Sequence, residues 1–216
     1  MKLVGMLDSP YVRRVAVSLQ LLGIRFEHQS LSVFGDFDAF QQINPVVKAP
    51  TLICDDGAML IDSTLILQYA EAVAAPGRSL MPLDSLDQRQ ALATIGLALA
   101  ACEKSVQIIY ERRLRPVEKQ HAPWVERVTA QLLAAYAALE TTFRDDPPGT
   151  AVDTINQAGI TTAIAWKFTQ ATLSEIVPAT AYPALHAFSS RAEMLAAFKA
   201  APCGSTTYRQ PVDSPV

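Results

Sequence analysis

The sequence predicts two domains of different class, an α/β domain of about eighty residues followed by an all-α domain. Three observations lead to this prediction. Short apolar runs alternate with amphipathic segments at the start of the chain, the stretch 74–82 contains two prolines and a glycine, and beyond it apolar residues recur at helical spacing almost to the end. We therefore predict a first domain at 1–79, a helical domain at 84–205 and a polar tail at 206–216.

The first domain is predicted to follow the order β-α-β-α-β-β-α. Pro10 suits the first position of a helix because its ring fixes φ and its missing N–H would have no partner there, and Gly23 is placed to end that helix. Asp56 and Gly57 are typical of a tight turn between two strands. The predicted strands are 2–6, 26–31, a run that ends at 54, and 58–61, and the predicted helices are 10–22, 36–42 and 64–71.

The second domain is predicted to consist of helices. Pro116 ends or kinks the first and longest of them. The helix at 156–176 is the most apolar, so we expect it to be buried on most sides. The predicted helices are 84–119, 124–144, 156–176, 182–190 and 192–198.

Composition limits the classes of partner. The chain has 216 residues and a net charge of −3, from 18 basic and 21 acidic side chains, so we expect neither nucleic acid nor an anionic membrane as a partner. No apolar run reaches the length that a bilayer requires, and the opening run is expected to be too short for a signal sequence. The three cysteines include no CxxC pair, which favours a reducing, cytoplasmic location and argues against a disulfide framework or a zinc site. The three histidines are too scattered to form a metal site.

Ser9 stands where the first predicted strand turns into the first helix. It is the predicted N-cap, so its hydroxyl lies among unpaired backbone N–H groups at the positive end of the helix dipole. An anion is stabilised at such a position. From the residues alone, a plain helix cap and an anion-stabilising hydroxyl are both open.

Five segments, in this order along nearly the whole chain, resemble motifs of the cytosolic glutathione transferases. Ser-Pro-Tyr-Val-Arg-Arg-Val at 9–15 resembles the catalytic turn of the serine-type classes, Lys-Ala-Pro at 48–50 a segment that ends in a cis-proline, and Asp-Ser at 62–63 an acidic-serine pair. Thr-Thr-Ala at 161–163 resembles a helix-capping segment, and Tyr-Pro-Ala-Leu at 182–185 a segment of bacterial members. The resemblance implies a thioredoxin-like first domain and a two-fold dimer. It also implies that the chain is a serine-type bacterial member of the family, similar to the theta, zeta and nu classes.

The resemblance further implies that glutathione binds to the first domain as a co-substrate. In the family the residue before the cis-proline pairs its backbone with the cysteinyl part of glutathione, a role that falls here to Ala49, with Pro50 forming the turn that exposes it. Asp62 is expected to bind the γ-glutamyl ammonium and Ser63 its carboxylate, although both are also good helix caps. Lys48 has the charge and reach to bind the glycyl carboxylate, and a solvated charge is the equal alternative.

With this resemblance, Ser9 is the expected donor of a hydrogen bond to the glutathione thiolate. A hydroxyl that donates a hydrogen bond to the glutathione sulfur lowers the pKa of the thiol and favours the thiolate, which is the attacking species. Tyr11 is the rival donor. The implied activity is conjugation of glutathione to a small hydrophobic electrophile, in detoxification. The alternatives are a glutathione-dependent isomerase, dehalogenase or peroxidase, and a non-catalytic binding or regulatory relative.

The electrophile pocket is expected to be lined by the first turn and by the long helix, with simple core packing as the alternative for each residue. The expected positions are Met6, Leu7, Tyr11, Leu99, Cys102, Glu103, Val106 and Tyr110.

The chain departs from the family pattern near two of the motifs. Val47 stands in place of a glycine and Ala49 in place of a valine, so we expect the backbone around Lys48 to differ from that of the family. Ile164 stands where an aspartate often follows the capping threonine, so we expect the capping box of that helix to be incomplete.

Overall fold

The structure is a computed structural model that describes residues 1–208. Of the predicted tail at 206–216, residues 209–216 lie outside the described residues. The chain forms two compact units. One consists of Met1–Leu80 together with residues 194–208, and the other of Met81–Glu193.

The first unit contains a four-stranded mixed sheet. Its elements up to residue 80 are β1 Lys2–Val4, α1 Pro10–Leu21, β2 Glu27–Gln29, α2 Phe37–Ile43, β3 Thr51–Ile53, β4 Met59–Ile61 and α3 Ser63–Val73. The strands lie in the order β2-β1-β3-β4, with β1 parallel to β2, and with β3 antiparallel to both β1 and β4. The predicted element order and the thioredoxin-like fold class are confirmed.

Helix α1 forms the centre of this unit. It begins at Pro10 and stops before Gly23, whose φ of 73° lies in the left-handed region that glycine favours. Val12, Val15 and Leu19 have no exposed surface, and α1 contacts β1 and α3. Each fully buried side chain of this size contributes about 1.5–3 kcal/mol relative to exposure. The helix is therefore held mainly by packing on several sides.

The second unit is helical, as predicted. Its helices are α4 Ser85–Leu114, α5 Ala122–Asp145, α6 Gln157–Thr172 and α7 Pro183–Ala192. Helix α4 packs along α5 and α6, and α6 packs against α7. Helix α4 ends at Leu114 rather than at 119 because Arg115, which precedes Pro116, is forced into an extended conformation.

Residues 194–208 group with the first unit, whereas the predicted helical domain extends to 205. Helix α8, Ala196–Ala200, contacts α1. The buried guanidinium of Arg13 donates from Nε to the carbonyl of Ala201 at 2.7 Å and from Nη2 to the carbonyl of Phe198 at 3.4 Å, and it also lies over the Phe198 ring. A buried cation that is hydrogen-bonded to these carbonyls holds the segment on α1.

Helix α4 is, within residues 1–208, the one helix long and apolar enough to cross a membrane by length and composition. The expectation that no apolar run has this length was wrong by that criterion, because no charged residue lies between Arg89 and Glu103. In this structure the helix packs along α5 and α6.

The cap of α6 differs from the prediction. Its N-cap is Asn156, whose Oδ1 accepts a hydrogen bond from the N–H of Gly159 at 3.0 Å. The predicted capping segment, 161–163, lies inside the helix, where the Thr161 hydroxyl donates to the carbonyl of Gln157 at 2.7 Å. The assignment of the cap to 161–163 was therefore wrong, because asparagine is as good an N-cap as serine and lies one turn earlier.

Helix α7 receives its cap from another helix. Tyr182, at its N-cap position, makes no capping bond with its side chain. Instead, the carboxylate of Glu140 on α5 accepts hydrogen bonds from the N–H groups of Ala184 at 2.8 Å and Leu185 at 3.0 Å. A carboxylate at a helix N-terminus is favoured by the unpaired N–H groups and by the helix dipole.

We expect Glu140→Ala to lower the free energy of unfolding by about 2 kcal/mol, because two backbone donors at a half-buried site lose a charged acceptor. Urea denaturation followed by circular dichroism measures this change. The matched control is Glu126→Ala, an exposed position on the same helix, which should change the value by less than about 0.5 kcal/mol. Equal effects of the two substitutions would contradict a capping role for Glu140.

Candidate functional site

Ser9 caps α1 in an extended conformation, with φ −71° and ψ 123°. Its Oγ accepts a hydrogen bond from the N–H of Val12 at 3.4 Å, and its own N–H donates to the carbonyl of Met6 at 3.2 Å. Because the cap uses a lone pair of the hydroxyl oxygen, the hydroxyl proton can donate to a further group. Beside it, desolvation raises the pKa of the Asp8 carboxyl more than the N–H groups of Ser9 and Asp8 lower it.

Asn44 orders the loop that leads into β3. It is buried, its Nδ2 donates to Thr51 Oγ1 at 2.8 Å, and its Oδ1 accepts from the N–H of Val46 at 2.9 Å. Thr51 Oγ1 donates in turn to the carbonyl of Lys48 at 2.7 Å. The loop backbone around Lys48 is therefore fixed from both sides, while the residue itself is exposed.

Val47 and Pro50 give this loop its shape. The peptide bond between Ala49 and Pro50 is cis, which confirms the expectation drawn from the resemblance, and Pro50 is buried. Val47 has a φ of 50°, in the left-handed region that is unfavourable for a β-branched residue. The valine thus occupies a backbone conformation suited to the glycine it replaces, at a cost in strain.

Asp62 lies at a second strained position. Its φ is 72° and its ψ is 125°, and its Oδ1 accepts a hydrogen bond from the N–H of Thr64 at 2.8 Å at the start of α3. Non-glycine residues held in such conformations cost about 1–3 kcal/mol and are most frequent at functional sites. The next residue, Ser63, is buried.

Arg14 links α1 to the start of α3. It is 2% exposed, and its Nη1 donates to Ser63 Oγ at 3.1 Å and to Thr64 Oγ1 at 3.2 Å. A guanidinium has donors only, so both hydroxyl oxygens must accept from it. The hydroxyl proton of Ser63 is therefore directed away from Arg14.

Gly5 brings two of the predicted motifs together. Its φ is 134°, and a Cβ placed there would lie 2.7 Å from Val12 Cγ2 and 3.0 Å from Ala49 Cβ. This close approach puts the first turn of α1, which Ser9 caps, against the residue before Pro50. Together with Arg14, it connects the turn of Ser9, the loop at 48–50 and the pair at 62–63 within the first unit.

A family model for the glutathione S-transferase N-terminal domain matches residues 3–78. The chain is also 30% identical to the Escherichia coli (strain K12) protein named Uncharacterized GST-like protein YibF, over 76% of this chain and 80% of that protein. The chain belongs to the glutathione S-transferase family. The predicted family is thereby confirmed.

Other members of the family are similar over different shares of the chain. Glutathione transferase GST 23 of Zea mays is 29% identical over 50% of this chain and 49% of its own length. Among solved structures, a glutathione transferase family member from Pseudomonas fluorescens Pf-5, with bound S-(propanoic acid)-glutathione, is 26% identical, with a TM-score of 0.79 over 98% of this chain and all of that one.

The residues predicted to line the electrophile pocket of this family member fall into both units. In the first unit, Leu7 is fully buried, and Met6 and Tyr11 are half-buried. The others lie on α4, where Cys102 is 2% exposed and the carboxylate of Glu103 accepts from Lys104 and Gln107 at 2.9 Å. The remaining positions on that helix are Leu99, Val106 and Tyr110. Their roles stay predictions.

Arg14 is a candidate site residue that sequence reasoning missed. The signal was present as an Arg13-Arg14 pair within a helix that is otherwise largely apolar. Charged residues on a helix are usually solvated, and only the tertiary structure shows that this pair is buried. Within residues 1–208, no group of three or more His, Cys, Asp or Glu side chains is placed to hold a metal ion.

We expect Val47→Gly to raise the free energy of unfolding by about 0.5 kcal/mol, because relief of the left-handed backbone outweighs the entropy that glycine gains in the unfolded chain. The matched control is the neighbouring, exposed Val46, where Val46→Gly should lower it by about 0.5–1 kcal/mol. Urea denaturation of both variants measures the difference in sign. A loss of stability at both positions would contradict the assignment of strain to Val47.

Proposed function

We propose that this chain conjugates glutathione to small hydrophobic electrophiles and that the Ser9 hydroxyl stabilises the attacking thiolate. The observation that carries the proposal is the geometry of Ser9, whose oxygen accepts from the N–H of Val12 while its proton can donate. The similar Pseudomonas fluorescens structure has bound S-(propanoic acid)-glutathione, a compound whose sulfur carries a carbon substituent. That is the class of product this reaction would form.

The reaction proceeds in two steps. The glutathione thiol first loses its proton to solvent, and the hydrogen bond from Ser9 together with the N-terminus of α1 stabilises the resulting thiolate. The sulfur then forms a bond to the electrophilic carbon, and the electron pair displaced from that carbon leaves with a departing group or takes up a proton. A hydrogen bond to a charged group contributes about 1.5–3 kcal/mol, which corresponds to about 1–2 units in the pKa of the thiol.

Two groups at the start of α3, together with Arg14 on α1, support binding of the γ-glutamyl end of glutathione. The Asp62 carboxylate binds the ammonium, and the Ser63 hydroxyl donates to the carboxylate. Arg14 supports this arrangement because its donation to Ser63 Oγ leaves the serine proton to point at the ligand. Its positive charge also favours an anion at that position.

The other groups complete the glutathione site. Lys48 binds the glycyl carboxylate, and the backbone of Ala49, exposed by the turn at Pro50, pairs with the cysteinyl part. The proposal includes a serine-type bacterial class, a role in detoxification, a cytoplasmic location, a homodimer, and neither nucleic acid nor membrane as a partner.

We expect Ser9→Ala to raise the pKa of bound glutathione by about 1–2 units, and kcat/KM at neutral pH to fall about tenfold to a hundredfold. The ultraviolet absorbance of the bound thiolate, measured against pH, gives the pKa directly. Tyr11→Phe is the matched control, since it removes the hydroxyl of the rival donor and should leave the pKa unchanged. If the wild type and Ser9→Ala ionise the bound thiol equally, the role assigned to Ser9 is wrong.

Arg14 and Ser63 are expected to act as one unit. Arg14→Met should raise the Kd of glutathione about tenfold. In a Ser63→Ala background the same substitution should change the Kd less than about twofold. Calorimetric titration of the four proteins gives the coupling. Arg89→Met, at an exposed position on α4, serves as the control for loss of a positive charge. Additive effects of the two substitutions would show that Arg14 does not act through Ser63.

A further inference from the structure

His28 on β2 is hydrogen-bonded to the backbone through both ring nitrogens. Its Nε2 lies 2.7 Å from the carbonyl oxygen of Gly5, and its Nδ1 accepts a hydrogen bond from the N–H of Tyr208 at 3.0 Å. Because Nδ1 accepts, it carries no proton, so the proton of the neutral ring lies on Nε2 and is donated to Gly5. Burial lowers the pKa of this imidazole, and the bond to the Gly5 carbonyl opposes that effect only in part.

The carbonyl that His28 holds belongs to the residue from which the turn of Ser9 starts. Gly5 donates its N–H to the carbonyl of Gln29 at 3.0 Å, so both polar groups of Gly5 are fixed by β2. Three residues separate Gly5 from Ser9, and the turn between them is closed by the bond from the Ser9 N–H to the Met6 carbonyl. The direction of the Gly5 carbonyl therefore fixes the peptide plane from which this turn departs.

Close packing around Gly5 makes the direction of its carbonyl important. A Cβ there would come within 3.0 Å of both Val12 and Ala49, so the backbone is packed directly against the first turn of α1 and the loop before Pro50. A rotation of the Gly5 peptide would have to displace one of these neighbours. The hydrogen bond from His28 to the Gly5 carbonyl also opposes such a rotation.

The other nitrogen of His28 is satisfied from the far end of the chain. Tyr208 lies 180 positions along the sequence, and its ring stacks on Phe26 with the centroids 4.5 Å apart and the planes at 18°. The stacked rings place the Tyr208 N–H against Nδ1. This backbone donor fixes both the orientation and the tautomer of the imidazole.

We propose that His28 is a positioning residue for the turn that carries Ser9, and that the C-terminal segment at Tyr208 completes it by holding the imidazole in the tautomer that donates to Gly5. His28 touches neither the sulfur nor the electrophile. Its hydrogen bond to the Gly5 carbonyl fixes the turn, and the turn sets the position of the Ser9 hydroxyl. The inference rests on the proposed function, since its effect is read in the ionisation of bound glutathione.

The first test compares two substitutions of His28 in the full chain. Gln can still donate to the Gly5 carbonyl, whereas Leu cannot. We expect His28→Leu to raise the pKa of bound glutathione by about 1 unit, a tenfold fall in the ratio of thiolate to thiol, and His28→Gln to restore most of that ratio. The Kd of S-methylglutathione, which has no thiol to ionise, should change less than about twofold in both variants, because its binding does not need the hydrogen bond from Ser9.

The second test concerns the C-terminal segment and leaves β2 intact. Tyr208→Ala removes the ring and keeps the backbone N–H, whereas Tyr208→Pro removes both. We expect the thiol pKa to rise more in Tyr208→Pro than in Tyr208→Ala. If His28→Leu does not fold, a thiol pKa that stays unchanged in both Tyr208 variants overturns the inference.

An unchanged thiol pKa in a folded His28→Leu protein, or equal shifts in His28→Leu and His28→Gln, overturns the inference. Equal shifts in the two Tyr208 variants overturn the part assigned to the C-terminal segment. Ser9→Ala separates the two levels of the proposal. If it raises the thiol pKa and His28→Leu does not, only this inference fails; if Ser9→Ala has no effect, the proposed function fails first.

Discussion

Two adjacent buried guanidinium groups on α1 are the constraint on which the first unit depends. Neighbouring residues on a helix point about 100° apart, so Arg13 and Arg14 reach different sides of α1. Arg13 meets the carbonyls of Ala201 and Phe198, and Arg14 meets the hydroxyls of Ser63 and Thr64. Arginine does not lose its charge in a protein, so its burial requires these acceptors. The C-terminal segment and the start of α3 are thereby fixed to the same helix.

Local signals were enough to predict the elements of the first unit. Pro10 and Gly23 mark the ends of α1, and Ser9 and Asp62 are helix caps in the structure as in the prediction, because capping depends on residues within one turn. The grouping of the C-terminal segment with this unit could not be predicted in the same way. It depends on contacts of Arg13 with a carbonyl 188 positions away, and hydrogen bonds to backbone carbonyls leave no pattern in the sequence of the acceptor.

Resemblance to a family was reliable where a physical signal accompanied the motif. The segment at 48–50 contains a proline before a strand and the expected cis bond, whereas the tripeptide at 161–163 had only its sequence to support it. There the structure places the cap at Asn156. Neither a family motif nor a local physical signal pointed to the role of Arg14. Its role depends on the position of Ser63, which is set by the packing of α1 on α3.

Among residues 1–208, backbone strain at Val47 and Asp62 lies beside the groups proposed to bind glutathione, and it has a different physical meaning at each position. Asp62 has an unfavourable φ, and its carboxylate caps α3 and is the group proposed to bind the ammonium. Glycine would relieve the backbone but could not supply this negative charge. Val47 has no polar group to contribute, and the hydrogen bonds of Asn44 and Thr51 hold its loop in shape around it. Strain at Asp62 is thus tied to a chemical group of the proposed site, whereas strain at Val47 lies in the loop whose proposed contribution is the backbone of Ala49. The same backbone feature therefore supports a functional role for the side chain at one position and for the main chain at the other.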